Sequence, residues 1–375
     1  MVRALARVNL AAIERNTGRM RRELGPEVQL CAVVKAGGYG HGALPAARAA
    51  LAGGASWLAV ASAVEAAELR AAGIDGRILV MGAISLEELP VALGARADVV
   101  AWSEPFVSAL AAAASERDGR VRVHVKLDTG MGRLGTRVSA EALAVAEAVS
   151  AIPALELAGA MTHFATADDP DRTFMRLQLE RFEPYVATLR ERHPGIIAHA
   201  ANSAAVLNEP AAHFDLVRCG IALYGLDPMQ KSAEDRGLEP ALELTSYVAA
   251  VKTAAVGDSA GYGRRFVAER ETELATLPIG YADGIRRHFT NNLDILIGAR
   301  RHPVVGAVSM DNITVELAEA GSVEPGARAT IIGADGPERQ SAEELAARIG
   351  TINYEIVCGI SARVPRHYHR DGVPA

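Results

Sequence analysis

The chain has 375 residues, half of them hydrophobic, 22% charged and 35 of them glycine, which excludes a disordered tail protein, a collagen-like repeat and a disulfide scaffold. A single domain usually takes about 100–200 residues, so the length points to a large barrel or to two domains. The 39 basic and 45 acidic residues leave a net charge of −6 spread along the chain, unlike the basic footprint of a nucleic-acid binder.

The opening stretch MVRALARVNLAAIERN is interrupted by Arg3, Arg7, Glu14 and Arg15, so it lacks the apolar core of a secretory signal. No run without Asp, Glu, Lys or Arg is longer than that from Ala49 to Val64, which is shorter than the ~18 residues of a membrane span. A cytoplasmic protein with no membrane partner is expected. Cys31, Cys219 and Cys358 form an odd set without C-x-x-C spacing, as in a reducing compartment, and each is expected to be a small buried apolar residue.

Eight short β-type runs alternate with alanine-rich helical segments: residues 28–35, 57–62, 78–82, 98–102, 121–127, 156–164, 197–202 and 216–224. Helical patterns such as VEAAELRAAG, SLEELPVALG and SAEALAVAEAVS lie between them. Apolar strands with helical crossovers mean a parallel sheet. Eight units with no polar edge strand predict a closed (β/α)8 barrel of the TIM type. The polar segment MQKSAEDRGLEP then leads into short strands: LELTSYVAAV, TELATLPIGY, LDILIG, RHPVVGAVSM, NITVEL and ATIIG, with one helical insert, SAEELAARIG. The expected division is a cofactor-binding barrel over residues 1–235 and a mainly β domain over 236–375.

In such a barrel the reactive residues sit at the C-terminal ends of the strands. The first run ends in Lys35 and enters KAGGYGHG; the fifth enters KLDTGMGRLG with Lys126, Asp128 and Arg133; the sixth ends near His163; the seventh ends in Asn202 and Ser203; the eighth carries Arg218 and Gly220. A lysine closing an apolar run is partly desolvated, which suits Schiff-base formation with a carbonyl; a snorkelling surface lysine is the alternative. Phosphate sites in barrels form in the loops after strands seven and eight, which here offer the Ser203 hydroxyl and the amides of Gly220 and Ile221. Lysine and phosphate loops together suggest pyridoxal 5'-phosphate. The pair His367 and His369 reads as a solvated tail rather than a metal site, and no metal is expected.

The motifs AVVKAGGYGHG, KLDTGMGRLG, THFATAD, HAANSAA, VRCGIALYG, GYGRRF, PIGYADG, GAVSMDN and NYEIVCGISARVPR resemble, in order and over nearly the whole chain, those of the alanine racemases, fold-type III pyridoxal phosphate enzymes. The resemblance implies a two-base interconversion of L- and D-alanine that supplies D-alanine for peptidoglycan. It makes Lys35 the lysine that carries the cofactor. It sets the phosphate among Tyr39, Ser203, Gly220, Ile221 and Tyr354, with Asn202 and His199 as supports, and sets Arg218 at the pyridine nitrogen. Arg133 then holds the cofactor's phenolic oxygen and the substrate carboxylate, the latter together with the Met310 amide. Lys126 matches a lysine often carbamylated to steady that arginine, and Tyr281 lines the entryway. Lys35 serves one face of the substrate; Tyr262, tuned by His163 and Arg218, serves the other from a second subunit, which implies a homodimer with shared sites.

Two positions depart from the family pattern: Gly37, usually asparagine or aspartate, and Ser309, often cysteine. Three other kinds of protein share some or all of this pattern. A fold-type III decarboxylase places glutamate where Arg218 stands; a non-catalytic cofactor-binding barrel ends near residue 230; a broader amino-acid racemase, acting for example on serine, shares every motif.

Overall fold

The computed structural model describes residues 2–115, 119–317, 321 and 323–375. The chain divides into two compact units, one of Ile13–Gly38 and Ala43–Met229, the other of Met1–Ala12, Tyr39–Gly42 and Gln230–Ala375. Residues 1–12, 39–42 and 230–235, grouped by sequence with residues 1–235, therefore cluster with the β-rich unit.

Counting from β1 (Ala4–Asn9), the first unit contains β2 (Gln29–Val33), β3 (Trp57–Val60), β4 (Arg77–Val80), β5 (Asp98–Ala101), β6 (Val121–Lys126), β7 (Leu155–Met161), β8 (Ile197–His199) and β9 (Leu216–Cys219). These eight strands pair in the order β8-β7-β6-β5-β4-β3-β2-β9, parallel throughout. Only β8 and β9 lack a ladder. There, backbone amides of Asp215 and Arg218 donate to the carbonyls of Ala198 and Ala201, at 3.1 and 2.9 Å. The result is a nearly closed (β/α)8 barrel whose eight strands fall on the eight apolar runs. Strands β3 and β5 are buried at every position, as expected where helices cover one face and the barrel core the other.

The crossover helices form for local reasons. Ser62 and Glu65 close a reciprocal capping box at the start of Ala63–Ala71, satisfying two amides that a helix start otherwise leaves unpaired. The longest helix, Thr173–Arg192, buries Met175, Gln178, Leu179, Phe182, Val186 and Leu189 along one stripe. Each large apolar side chain on that stripe contributes about 1.5–3 kcal/mol by leaving water. Gln178 is the polar member, and its role is local to the site.

In the second unit a mixed sheet runs β16 (Arg300–Pro303), β15 (Asp294–Ile297), β18 (Arg328–Asp335), β10 (Leu242–Tyr247), β1, β20 (Arg366–Arg370) and β21 (Val373–Pro374), with β19 (Glu338–Gln340) on β18. A three-stranded sheet of β11 (Ala250–Ala254), β14 (Thr272–Leu277) and β17 (Ile313–Glu316) and a ribbon of β12 (Ser259–Ala260) and β13 (Phe266–Val267) complete it. Ala4, Ala6 and Val8 alternate buried with half-buried neighbours, the period of a strand. Strand β1 lies antiparallel to β10 and parallel to β20, partners more than two hundred residues away that no local pattern names.

Two expectations are corrected. His367 and His369 do not lie in a tail: they belong to β20, paired with Arg7 and Asn9 of β1, because the alternating side chains of this segment complete the mixed sheet. Cys31 and Cys219 are buried, but Cys358 is exposed, since it ends the short helix Asn353–Cys358 on its outer side.

Candidate active site

Lys35 follows β2 and is half-buried. The next three residues turn the wrong way for L-amino acids, with φ of 53° at Ala36, 62° at Gly37 and 65° at Gly38. A left-handed conformation costs an ordinary residue roughly 1–2 kcal/mol, and glycine removes that cost at two of the three. A Cβ on Gly37 would meet nothing within 4 Å, so the requirement there is conformational. Asparagine and aspartate tolerate the same region, which accounts for glycine replacing them in this motif. The turn is tied down by Glu65, whose carboxylate accepts from the amides of Ala36 (2.6 Å) and Ala61 (2.8 Å).

The loops after β8 and β9 are joined to each other. The Gly220 amide donates to the buried Ser203 hydroxyl at 2.9 Å, which leaves that hydroxyl's own hydrogen for a ligand. Asn202 caps the helix Ser203–Asn208 by accepting from the Ala205 amide at 3.0 Å. Ile221, fully buried, opens the one-turn helix Ile221–Tyr224.

Arg218 on β9 is 3% exposed. One terminal nitrogen donates to His199 Nδ1 at 2.7 Å; the other donates to the carbonyls of Thr162 (2.8 Å) and Ala200 (2.9 Å) and to His163 Nδ1 at 3.3 Å. None of these bonds uses Nε–H. Burial draws its pKa down to about 10, partly opposed by Cys31 and Cys219, so the guanidinium stays charged at neutral pH. Burial also holds His163 far below the usual histidine range, reinforced in turn by Arg218, Arg133, Lys126 and Lys35. His163 is therefore a neutral imidazole among four cations. Lys126, the last residue of β6, is drawn down to about 8 by burial and then by Arg218 and Arg133.

Arg133 sits exposed on a loop shaped by Asp128, which accepts from the amides of Gly130 and Gly132, each at 3.0 Å. Gln178 staples this loop to the one after β7: its amide nitrogen donates to Thr129 Oγ1 and to the His163 carbonyl, both at 3.1 Å, and its oxygen accepts from Ala165 at 2.8 Å. Sequence reading missed Gln178 and Glu65, since a lone polar residue on a helix face gives no signal of inward burial. It also missed Asp98, and it missed His124, whose signal was present: VRVHVKL sets Arg122, His124 and Lys126 at alternate positions of a strand.

The second unit places its own candidates in two groups and one solitary position. Tyr39 and Tyr354 face each other with ring centroids 6.0 Å apart. Tyr281 and Met310 lie on two loops joined backbone to backbone, the Tyr281 amide donating to the Ser309 carbonyl at 2.9 Å and the Ala282 amide to the Met310 carbonyl at 3.0 Å. Tyr262 stands at the tip of the β12–β13 ribbon between Gly261 (φ 71°) and Gly263 (φ 72°), and is 75% exposed.

Within the barrel the donor set fits pyridoxal phosphate. An amine at a strand end would meet an aldehyde, the buried Ser203 hydroxyl, aimed by the Gly220 amide, and the Ile221 amide would meet a phosphate, and four cations with a neutral imidazole suit a ligand rich in anionic oxygens.

Fold and site together define a (β/α)8-barrel enzyme with a cationic centre at the C-terminal ends of its strands. Residues 8–228 match the alanine racemase N-terminal domain and residues 241–368 the alanine racemase C-terminal domain. The chain is 43% identical over 370 residues to an alanine racemase of Symbiobacterium thermophilum, covering 97% of this chain and 96% of that one. It is 40% identical to alanine racemase 1 of Bacillus subtilis, covering 98% and 93%. The crystal structure of alanine racemase from E. faecalis superposes with a TM-score of 0.92 at 36% identity over 98% of both chains. That of alanine racemase from Bacillus anthracis with bound L-Ala-P gives 0.92 at 37% identity over 100% and 97%. The chain belongs to the alanine racemase family, and with it to the isomerases. Among the described residues no helix is long and apolar enough to cross a membrane.

Proposed function

We propose that this protein is a pyridoxal phosphate-dependent alanine racemase that interconverts L- and D-alanine in the cytoplasm and supplies D-alanine for peptidoglycan. The observation that carries this reading is the cationic centre around Lys35, Lys126, Arg133 and Arg218 in a chain that matches the family over nearly its full length.

Lys35 anchors the cofactor through its amine, and Ser203, Gly220, Ile221, Tyr39 and Tyr354 bind its phosphate, with Asn202 holding the loop that presents Ser203. When bound, the cofactor withdraws electrons from the substrate Cα and makes its proton acidic. Arg218 donates toward the ring nitrogen and, being unable to surrender a proton at neutral pH, leaves that nitrogen unprotonated. Arg133 and the Met310 amide hold the substrate carboxylate, carbamylation of Lys126 would replace a cation that repels Arg133 with an anion that steadies it, and Tyr281 lines the approach.

Inversion needs proton removal on one face of Cα and return on the other, hence two groups. Lys35 takes the proton from D-alanine. Tyr262 takes it from L-alanine, reaching the site of a second copy in a homodimer; its high exposure supports a role outside its own unit. A tyrosine acts as a base only with help from neighbouring cations or donors, which His163 and Arg218 supply.

Assays across a panel of pure D-amino acids test the reading. Alanine should turn over far faster than serine or basic amino acids; comparable rates with serine would replace it with a broader racemase.

A further inference from the structure

Barrel interiors are usually filled by layers of branched apolar side chains. Here a line of polar groups runs through the barrel instead. Asp98, the first residue of β5, is fully buried and accepts from Arg122 Nε at 2.7 Å. Its other oxygen faces His124 Nε2 at 3.4 Å. His124 Nδ1 faces His199 Nε2 at 2.8 Å, and His199 Nδ1 faces Arg218 at 2.7 Å. Both imidazoles are completely buried, and Gly159 opposite leaves the room for His124 that any side chain would fill.

The ends of this line decide its direction. An arginine can only donate and a carboxylate can only accept. His199 Nδ1 must therefore be an acceptor, which puts its hydrogen on Nε2 and makes it the donor to His124 Nδ1. His124 then carries its hydrogen on Nε2 and donates to Asp98. A doubly protonated His124 would aim a second donor at His199 and break the pattern. Burial, then Arg218 and His124, hold His199 far below the usual histidine range, in keeping with a neutral ring.

We propose that Asp98 and His124 are positioning residues: with His199 they form a one-way chain of hydrogen bonds that fixes both imidazoles as Nε2–H tautomers and keeps a lone pair against Arg218. The opposite tautomer of His199 would set a donor against a donor and displace the guanidinium. The catalytic consequence rests on the proposed role of Arg218, whereas the tautomers do not.

The test uses the full-length protein labelled with 15N-histidine, read by long-range 1H–15N correlation spectra. His124 and His199, identified by the loss of their signals in single variants, should both be neutral Nε2–H tautomers. Either ring protonated on Nδ1 would overturn the proposal, whatever the racemase activity. In Asp98→Asn, Arg122 retains the side-chain oxygen and the amide nitrogen turns to His124, which sets a donor at each end of the chain, so His124 should populate the Nδ1–H form while Arg218 still holds His199 as Nε2–H; an unchanged His124 tautomer would remove Asp98 from the chain. His124→Leu should lower kcat about tenfold, the equivalent of one net hydrogen bond, with KM little changed. His124→Asn, whose oxygen can still accept from His199, should recover most of that loss. No recovery in a folded His124→Asn protein would show that His124 acts by packing alone. Should a variant not fold, the wild-type spectrum decides.

Discussion

Gly159 of β7 stands against the imidazole of His124 on β6 so closely that a β-carbon at Gly159 would overlap the ring. The parallel ladder shifts register between Val123 and His124, where Gly159 becomes His124's partner. Gly159→Ala should therefore destabilise the barrel by about 1–3 kcal/mol, as overpacking does. In a His124→Ala background the same substitution should be nearly neutral, because the two residues are coupled. Denaturant unfolding of the four proteins of this cycle measures the coupling; additive effects would mean that the glycine is needed for its backbone and not for space.

Lys126 gives a pH dependence with a definite sign. Its folded-state pKa of about 8 lies below the ordinary lysine value near ~10.4. Between these values the unfolded chain binds more protons, so this residue makes stability rise with pH. Below about 8 both states are protonated, and the buried charge is a full liability. Lys126→Met should be more stable than wild type near neutrality, with an advantage that shrinks as pH rises through the window. Chemical denaturation across that window checks it, and a difference independent of pH would contradict the buried cation.

The barrel was legible in the sequence because its strands are buried on both faces and so read as unbroken apolar runs, WLAV and DVVA among them. The reactive ends of those runs were legible for the same reason: a lysine after AVV or a histidine after AMT stands out. Strand β1 was not, since its partners β10 and β20 are distant in sequence and its arginines resemble a solvated N-terminus. Asp98 was hidden as the first letter of an apolar run, where a turn residue is the ordinary expectation. Glu65 and Gln178 act through contacts that only the folded chain creates.

Tyr262 and Lys35 belong to different units of the chain, and the proposed homodimer makes the site composite. Lys35→Ala and Tyr262→Phe chains should each be nearly inactive alone. Mixed at random, they should regain about a quarter of wild-type activity, since half the dimers of a two-fold assembly carry one intact site. Activity after refolding the mixture, in hybrids verified by mass, is the measurement. No recovery would argue for a site built within one chain.

The two bases should also be distinguishable by face. Tyr262→Phe should slow α-hydrogen exchange of L-alanine into deuterated water by about 10²–10⁴-fold, the usual contribution of a positioned base, while exchange from D-alanine falls much less. Equal losses from both enantiomers would count against the assignment of Tyr262 to the L face.

Lys35, just after β2, is the proposed carrier of pyridoxal phosphate in an alanine racemase. Borohydride reduction of the purified protein, followed by peptide mapping, tests it most directly when paired with chiral analysis of alanine before and after reduction. The expected result is a yellow protein that brings either enantiomer to equal amounts of L- and D-alanine, loses this activity on reduction, and carries the reduced cofactor on Lys35. A cofactor fixed on any other lysine, or unchanged racemisation by Lys35→Ala, would contradict it.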